Sequence, residues 1–134
     1  MDNWIFKYHE AIKKKEVIVG VWVRLSFEIL TTGLLNGKWE FNEKKANKAI
    51  KCIENFCHHS EGRSDLLHLE LWQKAIVSAI FGVMDKTTGY RQFREVFIIV
   101  ARKNGKTLFA AAIAAYMTYI DGEYGAKVYF LAPK

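Results

Sequence analysis

The stretch REVFIIVARKNGKT, residues 94–107, decides how the chain is read. Its first part, Arg94–Ala101, is a compact run of β-branched and aromatic residues, which suits a strand buried on both faces. Its second part, VARKNGKT from Val100 to Thr107, is a basic loop that ends in Gly-Lys-Thr. The following TLFAAAIAAYMTYI, residues 107–120, has strong helix formers and is apolar nearly all round, which predicts a buried helix. DGEYG closes that helix, and KVYFLA, residues 127–132, predicts a second buried strand. Strand, loop, helix and strand make a βαβ unit, expected to be parallel and right-handed.

Gly-Lys-Thr placed directly between a buried strand and a buried helix is the setting of a phosphate-binding loop. In that geometry the backbone N–H groups from about Lys103 through Asn104 and Gly105 to Thr107 converge on phosphate at the helix N-terminus. Gly105 allows close backbone approach, Lys106 neutralises the β- and γ-phosphates, and the Thr107 hydroxyl binds Mg²⁺. Val100 stands where such loops usually carry their first glycine. A β-branched residue there resists positive φ, so the path into the loop must differ. The other reading is a basic turn between strand and helix that holds no ligand.

Outward from this unit the chain is helical. Asn3 or Asp2 can cap a first helix with Trp4, Ile5, Tyr8 and Ile12 on one face and Lys13–Lys15 as its solvated end. EVIVG, residues 16–20, is extended, and VWVRLSFEILTTGLLNG, residues 21–37, predicts a mostly buried helix. Asn42 caps a helix with Ala46, Ala49, Ile50, Ile53 and Phe56 at core spacing and Lys44, Lys45, Lys48 and Lys51 opposite. After the polar loop CHHSEGRSD, residues 57–65, the positions Trp72, Ala75, Ile76, Ala79, Ile80 and Val83 form another amphipathic helix, followed by a DKTTGY turn. The fold class expected is α/β: a helical region over residues 1–65, then the start of a P-loop NTPase over residues 66–134 with an incomplete parallel sheet.

Composition limits the function classes. Half the 134 residues are apolar and a quarter charged, as in an ordinary globular protein, and the net charge of +6 favours polyanionic partners. Two cysteines, Cys52 and Cys57, make no disulfide framework, and no signal peptide is visible, so a reducing, intracellular setting is expected. The longest uncharged run, Thr107–Ile120, falls well short of the roughly 20 residues of a membrane span. Cys57–His58–His59, with Cys52 and His68 nearby, fits no standard zinc spacing and reads as a loop with ordinary histidines. The lysine face from Lys44 to Lys51 is either a solvated surface or a contact for DNA phosphates.

VARKNGKT followed by alanine-rich helix resembles the large terminase subunits of tailed bacteriophages, ATP-driven motors that package DNA. Their phosphate loop is a Walker A variant without the first glycine and with an arginine near its start. IENFCHHSEG, LHLELWQKAIVSAIFG and DGEYGAKVYFLAPK agree in the same order, so the resemblance spans nearly the whole chain. It implies that Lys106 and Thr107 are the phosphate lysine and the Mg²⁺-side hydroxyl, that Arg102 acts in cis on the γ-phosphate, and that Gln73 reads the adenine edge. The family usually has proline before the Trp-Gln pair; this chain has Leu71. The implied cofactors are ATP and Mg²⁺. The implied partners are double-stranded DNA, the terminase small subunit and the portal protein, in the bacterial cytoplasm and away from membrane.

Such a motor also needs an apolar strand ending in Asp for Mg²⁺ and a carboxylate to activate water. No such element follows Thr107 in these residues, and Asp121 and Glu123 sit in a helix-ending turn. The chain is therefore expected to be catalytically incomplete alone, with unpaired strands that promote self-association. Two alternatives remain open: a non-catalytic prophage remnant that holds phosphate or nucleic acid without turnover, and part of another helicase-like P-loop ATPase, which FLAPK also resembles.

Overall fold

The computed structural model describes residues 3–59, 64–122, 125, 127–129 and 131. Five helices and two short strands follow in the order α1 (Trp4–Lys13), α2 (Val21–Leu35), β1 (Glu40–Phe41), α3 (Glu43–Phe56), α4 (Leu71–Gly82), β2 (Val83–Met84) and α5 (Lys106–Tyr119). The caps read from sequence hold two of these helices. Asn3 Oδ1 accepts from the Ile5 N–H at 3.0 Å, and Asn42 Oδ1 accepts from the Lys45 N–H at 3.0 Å. Each such cap contributes about 1 kcal/mol.

Helix α4 is shared by two apolar clusters. On one side Val77, Ile80 and Phe81 pack with Ala49, Ile50 and Ile53 of α3 and with Phe109, Ala112 and Tyr116 of α5. On the other, Ala75 packs with Ile5, Tyr8 and Ile12 of α1, with Phe27 of α2 and with Val83. Edge-to-face rings tie these layers: Tyr8 with Phe27, and Phe81 with Tyr116, each with centroids 4.8 Å apart. At the end of α4, a Cβ on Gly82 would stand 2.6 Å from the Phe41 ring and 2.9 Å from Ala46 Cβ. Only glycine lets β1 and α3 approach that closely. The Gly82 carbonyl accepts from the Asn42 N–H at 2.7 Å, and β1 pairs antiparallel with β2, Glu40 opposite Met84 and Phe41 opposite Val83.

Four expectations are corrected. Residues 94–101 form no strand: the one sheet among the described residues is the antiparallel β1–β2 pair, and residues 94–100 make no backbone hydrogen bond there. A strand is stable only when a neighbour accepts and donates along it, and no described segment does so here. The expected strand over 127–132 lies partly outside the described residues; residues 127–129 and 131 take no strand pairing. Helix α2 forms as expected but buries only Phe27, Thr31 and Gly33. Likewise α5 buries a single stripe of Phe109, Ala112 and Tyr116. Both helices are apolar around most of their circumference, yet only one side of each is covered.

The uncovered surface is concentrated. Trp22 and Ile29 of α2 line an open groove of about 770 Å³ together with Phe93 and Val96–Val100. Phe97 is 89% and Ile99 98% exposed. An uncharged, β-prone, unpaired segment beside an apolar groove associates with other chains. The protein should show concentration-dependent mass in sedimentation equilibrium, and the double substitution Phe97→Lys, Ile99→Lys should shift it toward monomer. A parent chain monomeric at all concentrations would contradict this.

Candidate functional site

The segment entering α4 is fixed before the helix begins. Glu54 of α3 accepts from the Leu69 N–H at 3.0 Å and pairs with Lys74 at 3.0 Å, both side chains only about one-fifth exposed. Glu70 is the N-cap of α4, and Gln73 completes a capping box by accepting from the Glu70 N–H through Oε1 at 2.9 Å. Trp72 donates from Nε1 to Glu70 Oε2 at 2.6 Å and meets the Phe109 ring of α5 edge-on at 5.7 Å. Trp72 is therefore both a packing residue and a wall. Gln73 is buried, only 8% exposed.

Opposite this wall runs the basic loop. Val100 is not among the residues with positive φ; the left-handed turns fall at Lys103 and Gly105, both with φ of 66°. The altered path expected from the missing glycine is thus a matter of where the chain turns. Asn104 Nδ2 donates to the Ala101 carbonyl at 3.3 Å and closes the loop on itself. Gly105 is the N-cap of α5, and no side chain caps this helix. Its carbonyl accepts from the Phe109 N–H at 2.9 Å, so the first intrahelical bond leaves the N–H groups of Lys106, Thr107 and Leu108 without a partner inside the helix. Those groups, with the helix dipole behind them, favour an anion.

A cavity of about 530 Å³ lies between wall and loop. Of the residues expected to bind nucleotide, it brings together Gln73, Lys103, Asn104 and Gly105, thirty residues apart in sequence. Arg102, Lys106 and Thr107 do not line it. They lie on the exposed outer side of the loop and the first turn of α5, so three cations, Arg102, Lys103 and Lys106, face solvent around one helix end. Sequence reasoning missed Glu70 as a residue lining the cavity, and it read His59 and His68, which also line it, only as ordinary loop histidines. The Glu70-x-x-Gln73 spacing was a readable signal for a helix start.

Other candidate groups are otherwise engaged. Asp121 pairs with Arg91 at 3.3 Å, and Glu123 lies outside the described residues. Burial, with Cys52 beside it, pushes the Cys57 thiol above its ordinary range, which keeps it protonated. His58 Nδ1 is bonded to the Ser64 carbonyl at 3.0 Å, and no cluster of three metal-binding side chains occurs among the described residues. Lys48 of the lysine face reaches the Ile120 carbonyl at 3.0 Å and so closes the C-terminal end of α5. Beneath the same helix, burial and Asp121 raise the Tyr116 hydroxyl to about 12, so it stays neutral in the core. No helix among the described residues is long and apolar enough to cross a membrane.

Leu71, where the resemblance expects proline, is the first residue of α4, and Glu70 before it is extended with φ −70° and ψ 163°. Proline is well suited to that position, since its missing N–H has no helical partner to lose. Leu71→Pro should change stability by no more than about 1 kcal/mol, against roughly 3 kcal/mol for proline inside a helix. Urea unfolding checks this, and a loss near the larger figure would show that Leu71 is not at a helix start.

Residues 71–134 match the family described as terminase large subunit, ATPase domain. No curated protein and no solved structure matches the chain. The match begins at the first residue of α4 and takes in Gln73, the basic loop and α5 together. Over residues 71–134, then, the chain is similar to the ATPase domain of terminase large subunits.

Proposed function

We propose that this chain is the ATP-binding segment of a phage DNA-packaging motor, with residues 1–65 as a helical subregion and residues 66–134 as the first part of a P-loop ATPase domain. The observation that carries the reading is the single cavity formed by Gln73 and the loop from Val100 to Gly105. A base in that cavity would leave its phosphates at the uncapped start of α5. There Lys106 supplies charge to the β- and γ-phosphates, Arg102 stabilises charge on the γ-phosphate, and the backbone of Lys103–Thr107 donates hydrogen bonds. Thr107 offers its hydroxyl to Mg²⁺, which would neutralise phosphate charge when bound. The exposed cations and the uncapped helix N-terminus suit an Mg·ATP complex.

Turnover needs more than these residues. Glu70, the one carboxylate lining the cavity among the described residues, is bonded to the Trp72 indole, and Asp121 is held by Arg91. Neither is free to activate water, so in this reading turnover draws on a carboxylate other than these two. Within a complete motor its partners would be double-stranded DNA, the small terminase subunit and the portal protein, in the cytoplasm of a bacterial host. Exposed apolar residues 96–99 favour this incomplete-motor reading over a self-contained binding module.

Lys106→Ala should weaken Mg·ATP binding at least tenfold, since a charge-assisted contact contributes on the order of 1.5–3 kcal/mol, while leaving the thermal transition unchanged. Isothermal titration calorimetry reads the first and circular dichroism the second. Equal affinity in parent and variant would rule out the phosphate loop.

A further inference from the structure

Two short segments before α4 contribute a third side to the cavity. Residues 57–59 and 65–67 pair antiparallel, with His58 directly opposite Leu66. The Cys57 carbonyl accepts from the Leu67 N–H at 2.7 Å, and the Asp65 carbonyl accepts from the His59 N–H at 3.2 Å. Side chains alternate between faces along such a pair, so His58 and His59 point to opposite sides. His58 does not line the cavity; its Nδ1 donates to the Ser64 carbonyl at 3.0 Å. His59 shares the other face with Leu67, and both line the cavity. The ring of His59 is half-buried, and the pairing on its own N–H holds its backbone in place. A side chain ordered in advance loses less entropy when a ligand arrives.

The course of the chain puts His59 on the wall side of the cavity. The 65–67 segment runs on through Leu69, whose N–H is held by Glu54, into Glu70 and Gln73 at the start of α4. The cations Arg102, Lys103 and Lys106 gather instead around the uncapped start of α5. Leu67, Trp72, Leu108 and Phe109 make much of the lining apolar. In such a lining a flat imidazole offers its face to a flat ring.

We propose that His59 stacks on the base of the bound nucleotide and adds affinity without choosing among bases. This rests on the nucleotide-site reading above and deepens it. Every base has a π-face, so the contact is indifferent to the groups on the base edge. The phosphates, held at the start of α5, do not use it.

Calorimetry on the whole chain with Mg²⁺ tests this, with ATP, GTP and inorganic tripolyphosphate as probes. His59→Ala should weaken ATP and GTP each about tenfold and leave tripolyphosphate unchanged. His59→Phe keeps a flat ring without the ring nitrogens, and should bind ATP within about twofold of the parent. His58→Ala removes the neighbouring imidazole and should leave ATP binding unchanged. All three variants should melt near the parent's temperature, since neither histidine belongs to an apolar cluster. Parental ATP affinity in His59→Ala would overturn the inference. So would an equal loss for tripolyphosphate, which would place the imidazole on phosphate, or a His59→Phe chain as weak as His59→Ala, which would make the contact a hydrogen bond. A loss in His58→Ala as large as in His59→Ala would overturn it too, by showing that the segment and not the ring supports binding. Failure of the underlying site is distinguishable: ATP and tripolyphosphate would then not bind, or both would ignore Lys106→Ala, and the inference would fall with it.

Discussion

Helix α4 is buried on two sides, and its small and β-branched residues make that possible. Ala75, Val77 and Ser78 expose no surface, and Gly82 admits the Phe41 ring and the Ala46 methyl where any Cβ would collide. With α3 and α5 on one side and α1 and α2 on the other, α4 contributes buried residues to both apolar clusters. Dense packing of this kind tolerates little added volume; overfilling such a core costs about 1–3 kcal/mol. The position of Gln73 follows from it, since the first turn of α4 can go nowhere that the rest of the helix does not.

The loop side of the cavity is held much less firmly. Phe109, Ala112 and Tyr116 seat α5 on α3 and α4, and Lys48 fixes its far end, but the loop itself is closed by one side-chain bond from Asn104. Three exposed cations within five residues repel one another until an anion arrives among them. In the proposed site the firmly held wall would take the flat base by shape and the charged, lightly braced loop the phosphates by charge.

Much of this was legible in the sequence. The Asn3 and Asn42 caps, the Ala46, Ala49, Ile50 and Ile53 face of α3 and the Asp85 turn follow from local rules that act within a few residues. The helix start at Gly105-Lys106 was legible for the same reason. Phe56, expected on the same face of α3, is exposed, and α4 is buried also through Val77, Ser78 and Phe81 and ends before Val83, which opens β2. What was not legible is long-range. Apolar content marked α2 and residues 94–101 as buried, yet burial requires a covering layer, and periodicity cannot say whether one is present. Nor does local pattern show that Gln73 lies buried in a cavity it shares with the basic loop, since that depends on how α4 packs.

Trp72 and Val100 each touch both hollow spaces of the molecule, the cavity against the basic loop and the open groove beside α2. Whatever settles over residues 96–99 must therefore also steady the residue that opens the loop and the indole that forms its wall. Ordering them in advance removes part of the entropy cost of a second binding event. Linkage is reciprocal, so a nucleotide that steadies the same two side chains strengthens the covering contact by the same factor. In the proposed site, these two shared side chains would couple a nucleotide to a protein surface with no need for a large movement of the helices.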